Sequence, residues 1–482
     1  MAYNGLTDFI ACLERENELV RVRQPISRDL EITEVADRAM KSNGPALLFE
    51  NVAGFDIPVL INAFGSYKRM ALALGVGSVD EIAGRIESLL NTQSPGTFAE
   101  KLMMLPKLLH LSSSFPKTVN SAPCQQIVQT GDDADLNSLP VLKCWPGDGG
   151  RFLTLPMVFT KSLEAGRRNV GMYRMHVYDG RTTGMHWHVH KVGARQYAEY
   201  EAAGKRMEVA VALGSDPAVT YAATAPLPED FDEMIFAGFL RQSPVEMVQC
   251  KTIDQQVPAD SEIVLEGYVE PHERRIEGPF GDHTGYYSPA DEYPVFHLMC
   301  ITRRKSPVYP ATIVGRPPME DCYMGKATER IFLPLIKSQL PEIVDMNLPM
   351  EGVFHNLAFV SIQKRYPMQA HKVISALWGL GQMMFTKVIV ILDADVDVQN
   401  TSEVLWRMAS NIDPRRDTVV SDGPVDVLDH AAPQPLYGSK MGIDATRKIA
   451  GENYNREWPE DIRMNADVVH KIDEMWENLG IG

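Results

Sequence analysis

Helix and strand patterns alternate at both ends of this 482-residue chain, and a long stretch of short strand patterns separates them. A chain of this length exceeds one ordinary hydrophobic core, so we expect two to three domains. The changes of pattern predict a division into residues 1–118, 119–316 and 317–482. The predicted fold class is mixed, with α/β units at the two ends and a β-rich barrel or sandwich between them.

The two end regions carry the helical patterns. The N-terminal region predicts helices and strands at LTDFIACLEREN, LEITEVADRAMKSN, ALLFENV and IPVLINAF, followed by a connector, GTFAEKLMMLPKLLHLSSSFPK. In the C-terminal region, KATERIFLPLIKSQL, LAFVSIQ, AHKVISALWGLGQMM, KVIVILDADV and TSEVLWRMASN predict a βαβ-type domain with a largely parallel sheet. A Ser/Thr cap with Glu403 nearby is expected at TSEVLWRMASN. The tail, ADVVHKIDEMWENLG, predicts a helix that packs on a neighbour or on its own chain.

The central region predicts six short strands and one helix, DEMIFAGFL. The strands are FLTLPMVFTKSL, NVGMYRMHVYD, TGMHWHVH, MEVAVALG, SEIVLEGYVE and YPVFHLMCITRR.

Charge and composition limit the partners. The formal net charge is -16, and no basic run offsets it, so nucleic acid is not an expected partner. None of the six cysteines forms a C-x-x-C pair, which is typical of reduced thiols in a cytosolic protein. The N-terminus lacks a signal-peptide pattern, and the apolar run KVIVIL is too short to span a bilayer. We expect a cytoplasmic protein, with contact to a membrane surface left open.

Common nucleotide and hydrolase motifs are missing from the sequence, which has no Walker loop and no G-x-S-x-G elbow. Two loops, VGRPPMED and GSKMGIDATRK, combine Gly or Pro with a basic residue. They are candidates for ligand contact and equally for ordinary interdomain turns.

An Asn and an Arg interrupt the apolar pattern of RRNVGMYRMHVYD. Asn169 and Arg174 lie five residues apart, so a regular strand would place them on opposite faces. A bulge at Gly171 is a way to turn one of them. Arg174 is expected either to bind a substrate carboxylate or to reach solvent from an edge strand.

Three histidines fall within five residues in GMHWHVHK. On a strand, His186, His188 and His190 would share one face, with Trp187 and Val189 on the other. This density indicates a metal or anion site, and the alternative is a solvated polar face.

Acidic residues also form two clusters. Asp230, Asp232 and Glu233 precede an apolar helix, which by itself indicates capping. In EGPFGDHTGYY, Glu277 and Asp282 flank a Gly-Pro-Phe-Gly bend that is typical of a surface turn. If the bend brings the two carboxylates together, they can hold and donate a proton, with Arg174 as the natural cation between them.

Taken in order, the motifs between residues 169 and 448 resemble the UbiD family of decarboxylases, and PALLFENV and REWP extend this resemblance over nearly the whole chain. The motifs are NVGMYRMHVYDGRTTGMHWHVHKVGARQY, VALGSDPA, FAGFLR, EIVLEGYVE, EGPFGDHTGYY, VGRPP and GSKMGIDATRK. The resemblance implies an N-terminal α/β unit, a central split β-barrel flavin-binding domain and a C-terminal α/β oligomerisation domain. It also implies prenylated FMN as cofactor, held with Mn2+ or Mg2+ and with K+ as a further candidate ion. A flavin prenyltransferase would supply the cofactor to a homo-oligomer, a dimer or a hexamer.

Matching motifs imply individual roles. Asn169 and Glu233 resemble metal ligands, and His190 resembles a third ligand of some relatives, although a length difference leaves its alignment ambiguous. Lys191 and Val192 match a phosphate-side pair that is Arg-Gly in some relatives. The residues that match cofactor-contacting positions are Met172, Tyr173, Arg174, His186, Trp187, His188, Lys191 and Val192. The matching catalytic set is Arg174, Glu277 and Asp282, with His283 and the two tyrosines after it unassigned.

The implied reaction is the reversible, non-oxidative decarboxylation of an aromatic acid, phenolic or quinone-precursor, through a covalent prenylated-FMN adduct. Arg174 would orient the carboxylate, Glu277 would hold Arg174, and Asp282 would protonate the carbon that loses CO2. Two alternatives stay open: a flavin-independent metalloenzyme built on HWHVH, and a subunit of a larger carboxylase complex.

Overall fold

In residues 2–90 of the computed structural model, four helices accompany a small sheet whose central strands are buried. The strand order is β1-β2-β3-β18, and the fourth strand comes from a much later part of the chain. The helices are α1 (Leu6–Arg15), α2 (Glu31–Lys41), α3 (Tyr67–Ala73) and α4 (Asp80–Leu90). The strands are β1 (Leu19–Val22), β2 (Ala46–Phe49), β3 (Val59–Ile61) and β18 (Tyr309–Pro310).

The structure describes residues 2–90, 114–228 and 231–481. Most of the predicted connector GTFAEKLMMLPKLLHLSSSFPK, and Asp230, lie outside the described residues. No helix in these described ranges is long and apolar enough to cross a membrane.

A curled nine-stranded antiparallel sheet forms a half-barrel in the central region, which confirms the predicted fold class. The order is β6-β9-β10-β17-β14-β11-β7-β8, and β5 pairs with β17. The strands are β5 (Ile127–Thr130), β6 (Arg151–Leu153), β7 (Met157–Lys161), β8 (Arg168–Met172), β9 (Met175–Val177), β10 (Thr182–Met185), β11 (Met207–Leu213), β14 (Ile263–Glu277) and β17 (Asp291–Arg303).

Both faces of this sheet are covered. In β11, Val209 and Val211 belong to one apolar cluster, while Ala210 and Ala212 belong to another. Because alternate side chains point to opposite faces of a strand, the two clusters lie on opposite sides of the sheet. Packing on both faces fixes the strands, so they hold the polar groups described below in defined positions.

Smaller elements surround the half-barrel. Three helices, not the single predicted one, interrupt the strands: α5 (Val192–Ala202), α6 (Pro217–Ala222) and α7 (Glu233–Arg241). A three-stranded sheet holds β4 (Lys117–Val119), β12 (Glu246–Gln249) and β13 (Gln256–Pro258), and a short hairpin holds β15 (Phe280–Gly281) and β16 (Tyr287–Ser288).

Three predicted strands are wrong in detail. FLTLPMVFTKSL divides into β6 and β7 around Pro156, which lacks the N–H that a ladder needs. NVGMYRMHVYD divides into β8 and β9, with Tyr173 and Arg174 between them. TGMHWHVH ends as a strand at Met185, so the three histidines lie in a loop and share no strand face.

The C-terminal sheet has the order β19-β20-β21-β23-β22. Its three middle strands are parallel and both edge strands are antiparallel. Asn400, not a Ser or Thr, caps α10 by accepting from the N–H of Glu403. The elements are α8 (Glu320–Gln339), β19 (Ile343–Asn347), β20 (Leu357–Ile362), α9 (Gln369–Trp378), β21 (Val388–Asp393), α10 (Thr401–Asn411), β22 (Thr418–Pro424), β23 (Tyr437–Asp444) and α11 (Ala466–Met475).

Candidate active site

The bend from Glu277 to Asp282 is largely buried, although Tyr286 and Tyr287 after it are exposed, so the interpretation of the two carboxylates as part of a surface turn is wrong. Glu277 ends β14 with 0% exposure, and Asp282 follows β15 with 6% exposure. Between them the chain turns at Gly278, whose φ of +87° favours glycine. The N–H of Gly281 donates to Asp148 at 2.8 Å, which anchors the hairpin and holds both carboxylates on one side.

Arg174 lies in the break between β8 and β9 and points at these carboxylates. Its Nε donates to Glu277 Oε1 at 2.8 Å, and its Nη2 donates to Glu277 Oε2 at 3.1 Å. Nη1 donates to Asp282 Oδ2, and the guanidinium carbon lies 4.6 Å from the centre of the Phe280 ring. Only 8% of the side chain is exposed, so Arg174 does not reach solvent from an edge strand.

Arg174, Glu277 and Asp282 form a triad whose electrostatics favour the charged forms of both carboxylates. Burial opposes the ionisation of Glu277, but hydrogen bonds from His186 and Arg174 outweigh burial and lower its pKa to about 2. Burial also opposes the ionisation of Asp282, and the charges of Arg174 and His283 outweigh it, so the pKa of Asp282 falls below its usual range. Without a bound substrate, Asp282 is therefore an ion and holds no proton.

Two of the three loop histidines join this network. His186 Nδ1 lies 3.1 Å from Glu277 Oε2, and His188 Nε2 lies 2.6 Å from His186 Nε2. Burial, followed by the charge of Arg174, lowers the pKa of His186. The His190 ring lies edge-on to that of His188, with centres 5.9 Å apart, and its centre is 4.6 Å from that of Phe385 in the C-terminal region.

Sequence reasoning left His283 without a role and missed His355. His283 Nδ1 lies 2.9 Å from Asp282 Oδ1, and His283 Nε2 lies 2.9 Å from His355 Nε2. The position of His283 directly after Asp282 was a usable signal. No local signal marks His355, because 72 residues separate it from its partner.

A cavity of about 230 Å³ opens beside these groups. Six of the eight residues predicted to contact a cofactor line it: Met172, Tyr173, Arg174, His186, His188 and Lys191. Trp187 instead packs between the rings of Tyr173 and Tyr197, and Val192 begins α5. Leu428, from the C-terminal region, closes one side of the cavity and was not predicted.

The cavity suits an anionic group at the position of Lys191. This residue is the N-cap of α5, and its ammonium group has no hydrogen bond or ion pair in the described part of the chain. Burial lowers its pKa, and the charge of Asp426 offsets this only in part. A cation without an ion pair at a helix N-terminus fits a phosphate, and the residues therefore fit a phosphorylated flavin.

Asn169 and Glu233 lie together at the contact of β8 with α7. Asn169 Nδ2 donates to Thr160 Oγ1 at 3.0 Å, and Glu233 Oε2 accepts from the N–H of Val170 at 2.9 Å. Asp232, not Glu233, caps α7 by accepting from the N–H of Met234. Burial raises the pKa of Glu233 to about 7, because backbone hydrogen bonds and the charge of Arg168 offset the burial only in part. Carboxylate and amide oxygens fit a hard divalent cation.

Within residues 2–90, 114–228 and 231–481, no three His, Cys, Asp or Glu side chains converge as a metal site. The alternating histidines therefore do not form the three-ligand cluster that their spacing suggests.

Comparisons with protein families match three consecutive parts of the chain. The 3-octaprenyl-4-hydroxybenzoate carboxy-lyase Rift-related domain, UbiD, matches residues 117–317. The C-terminal and N-terminal domains of the same carboxy-lyase match residues 322–445 and 10–86. Relatives from Archaeoglobus fulgidus and Aquifex aeolicus, both described only as uncharacterized proteins, are 51% identical over 481 and 482 residues, and each alignment covers 99% of both chains.

Solved structures agree over the whole length. Vanillic acid decarboxylase of Sedimentibacter hydroxybenzoicus, in its closed form, is 28% identical, with a TM-score of 0.86 over 100% of both chains. The UbiD-class enzyme HmfF from Pelotomaculum thermopropionicum, in complex with FMN, is 28% identical, with a TM-score of 0.79 over 94% of this chain and 97% of that one. An evolved dimeric form of HmfF, in complex with prFMN, is 27% identical, with a TM-score of 0.79 over 95% and 97%.

Proposed function

The chain belongs to the UbiD family of carboxy-lyases, and from this premise we propose that it reversibly decarboxylates an aromatic acid, phenolic or quinone-precursor, using prenylated FMN. The observation that carries the proposal is the buried Arg174, held between Glu277 and Asp282 at a cavity with an unpaired Lys191.

When bound, prenylated FMN would supply an electrophilic ring for the electron pair that the loss of CO2 leaves on carbon. Met172, Tyr173, His186, His188 and Lys191 would contact this cofactor. Asn169 and Glu233 would hold a divalent metal, Mn2+ or Mg2+, that balances the phosphate charge.

Arg174 can exchange one of its partners for a substrate. Glu277 holds Nε and Nη2, which fixes the plane of the guanidinium, and Nη1 contacts Asp282. A substrate carboxylate that takes the Nη1 contact is then oriented by a guanidinium whose plane is fixed. Asp282 then loses its main stabilising charge, so its pKa rises and it can carry the proton that the carbon needs.

The HWHVH metalloenzyme alternative is less well supported. His186 contacts Glu277 and His188, and His190 packs on Phe385, so the three rings do not point at one metal position.

The direct test is to load the chain with cofactor by co-expression with a flavin prenyltransferase and to screen aromatic acids. We expect flavin absorbance, release of CO2 from a phenolic or quinone-precursor acid, and deuterium from D2O at the carbon that lost the carboxylate. Protein that binds flavin but releases no CO2 from any acid in the screen contradicts the proposed reaction.

Glu233→Gln in the same preparation tests the metal assignment, because an amide cannot supply the ligand charge. We expect it to lose bound metal, by elemental analysis, and most of its flavin. Glu262→Gln is the matched control, since burial also raises the pKa of Glu262 to about 7, but Glu262 contacts Arg304 and the N–H of Val308 instead. Equal loss of metal in both variants contradicts the assignment.

The tail supports the proposal of a homo-oligomer, a dimer or a hexamer. No residue of α11 is buried, and it exposes an apolar row together with flanking residues. The exposed apolar residues are Ile462, Met464, Val468, Val469, Ile472, Trp476 and Leu479.

We expect deletion of residues 464–482 to produce a smaller species by light scattering, while His470→Ala, on the same helix, leaves the mass unchanged. An intact chain that is monomeric, or a truncated chain that keeps the full assembly, contradicts this proposal.

A further inference from the structure

A chain of hydrogen bonds leads away from Asp282 through two imidazoles. Asp282 Oδ1 lies 2.9 Å from His283 Nδ1, and His283 Nε2 lies 2.9 Å from His355 Nε2. The N–H of His283 also donates to Asp282 Oδ1 at 2.8 Å, which fixes the carboxylate relative to the ring. One nitrogen of His283 therefore contacts Asp282 and the other contacts His355, as a proton relay requires.

The far end of this chain is a nitrogen of His355 that is unpartnered among the described residues, and the residue as a whole is only half-buried. His355 Nδ1 is buried, and within the described ranges it has no hydrogen-bond partner. The ring of Phe354 stacks on His283, with centres 5.4 Å apart, and holds the imidazole in place. His355 belongs to the C-terminal region, between the turn Met350–Gly352 and β20, so the relay joins two regions of the chain.

Charged groups around the pair come from several elements. Those that act on His283 are the carboxylates of Asp282, Asp321 and Asp426, and the first of these raises its pKa despite burial. His355 faces His283, Asp426, Lys191 and Asp282, and burial together with the charge of His283 lowers its pKa to about 4. A proton on the pair therefore resides mainly on His283, next to Asp282.

We propose that His355 and His283 return a proton to Asp282 in every turnover, after Asp282 has protonated the product carbon. This inference rests on the proposed function, in which Asp282 is the proton donor. It adds His355 and His283 as proton carriers, and His355 is supplied by the C-terminal region.

The step balances with one proton from water. A proton binds His355 Nδ1, the N–H bond at His355 Nε2 breaks as one forms at His283 Nε2, and the bond at His283 Nδ1 breaks as the O–H bond of Asp282 forms. Both rings end as neutral tautomers. Before the next turnover each ring loses the proton from its newly protonated nitrogen and gains one at the other nitrogen, which restores the starting tautomers with no net change in protons. Decarboxylation consumes one proton for each CO2 released, and no other reactant is needed.

The test uses His355→Ala in the cofactor-loaded chain. We expect a burst of about one CO2 for each active site at the normal rate, because CO2 leaves before the proton is needed. Steady-state turnover then falls about 10- to 100-fold, and added imidazole restores part of it. His371→Ala, a histidine of α9 with no contact to the relay, is the matched control and keeps both phases.

Three outcomes separate the possibilities. Unchanged steady-state turnover in His355→Ala overturns the relay, and so does a loss of burst and steady state together that imidazole does not restore. If Asp282→Asn is also fully active, the proposed function itself fails, because Asp282 is then not the donor. A second readout uses 15N-histidine NMR of the cofactor-free chain, in which removal of His355 must change the tautomer and pKa of His283.

Discussion

Asp282→Asn in the cofactor-loaded chain is expected to release about one CO2 per active site and then nearly stop. The amide keeps the size of the side chain and its contact with Arg174 through oxygen, but it has no proton to transfer. Because general acid catalysis contributes about 10²- to 10⁴-fold, we expect steady-state turnover to fall about 10³-fold. Rapid-mixing measurements of CO2, with deuterium incorporation from D2O, follow the two stages separately.

Asp148→Asn is the matched control for this variant. Asp148 is also a buried carboxylate, and it holds the same hairpin by accepting from the N–H groups of Gly281 and Trp145. An Asn oxygen can accept the bond from Gly281, so turnover should stay within a few-fold of the original. Full steady-state turnover in Asp282→Asn contradicts its role as proton donor, while equal losses in both variants mean that hairpin geometry is responsible.

Arg174→Met is expected to lower kcat/KM by about 10³-fold or more and also to destabilise the fold. The variant removes the group that orients the substrate carboxylate, which is a loss of both binding and positioning. It also leaves Glu277 and Asp282 buried without their shared cation. Removing one partner of a buried ion pair costs about 3–5 kcal/mol, so the free energy of unfolding at pH 7 should fall by about that amount.

The loss of stability in Arg174→Met should depend on pH with a defined sign. In the native chain the pKa of Glu277 is lowered from 4.5 to about 2, and the pKa of Asp282 is lowered as well. A lowered carboxyl pKa stabilises the fold above the unfolded value and loses this effect as the pH falls through the folded value. The difference between native chain and variant should therefore be largest above about pH 4.5 and shrink towards pH 2.

Denaturant unfolding of the cofactor-free chain at several pH values measures this difference. Arg21→Met provides a contrast, since the ion pairs of Arg21 with Glu14 and Glu50 are partly exposed. Such pairs contribute about 0–1 kcal/mol, so this variant should lose little. If the loss of unfolding free energy in Arg174→Met grows as the pH falls, the charge arrangement described for the site is wrong.

Local patterns predicted most elements of the fold, because hydrophobic periodicity depends on neighbours along the chain. The strand MEVAVALG and the helix TSEVLWRMASN are examples, and both occur where the pattern places them. The segment HWHVH is a counterexample, because its residues alternate as in a strand but form a loop. In the structure His186 bonds to Glu277 and His190 packs on Phe385, and a local pattern contains no information about these distant partners.

The sequence by itself determined the mixed fold class, the family resemblance and the members of the triad formed by Arg174, Glu277 and Asp282. It could do so because these features lie in short motifs whose residue types and order are visible in the chain. Only the tertiary structure decided which of these groups meet: it buried the acidic bend, placed His190 against Phe385, and brought His355 against His283. The physical reason is that burial and contact between distant residues arise from the packing of the half-barrel against the C-terminal region, which no local pattern encodes.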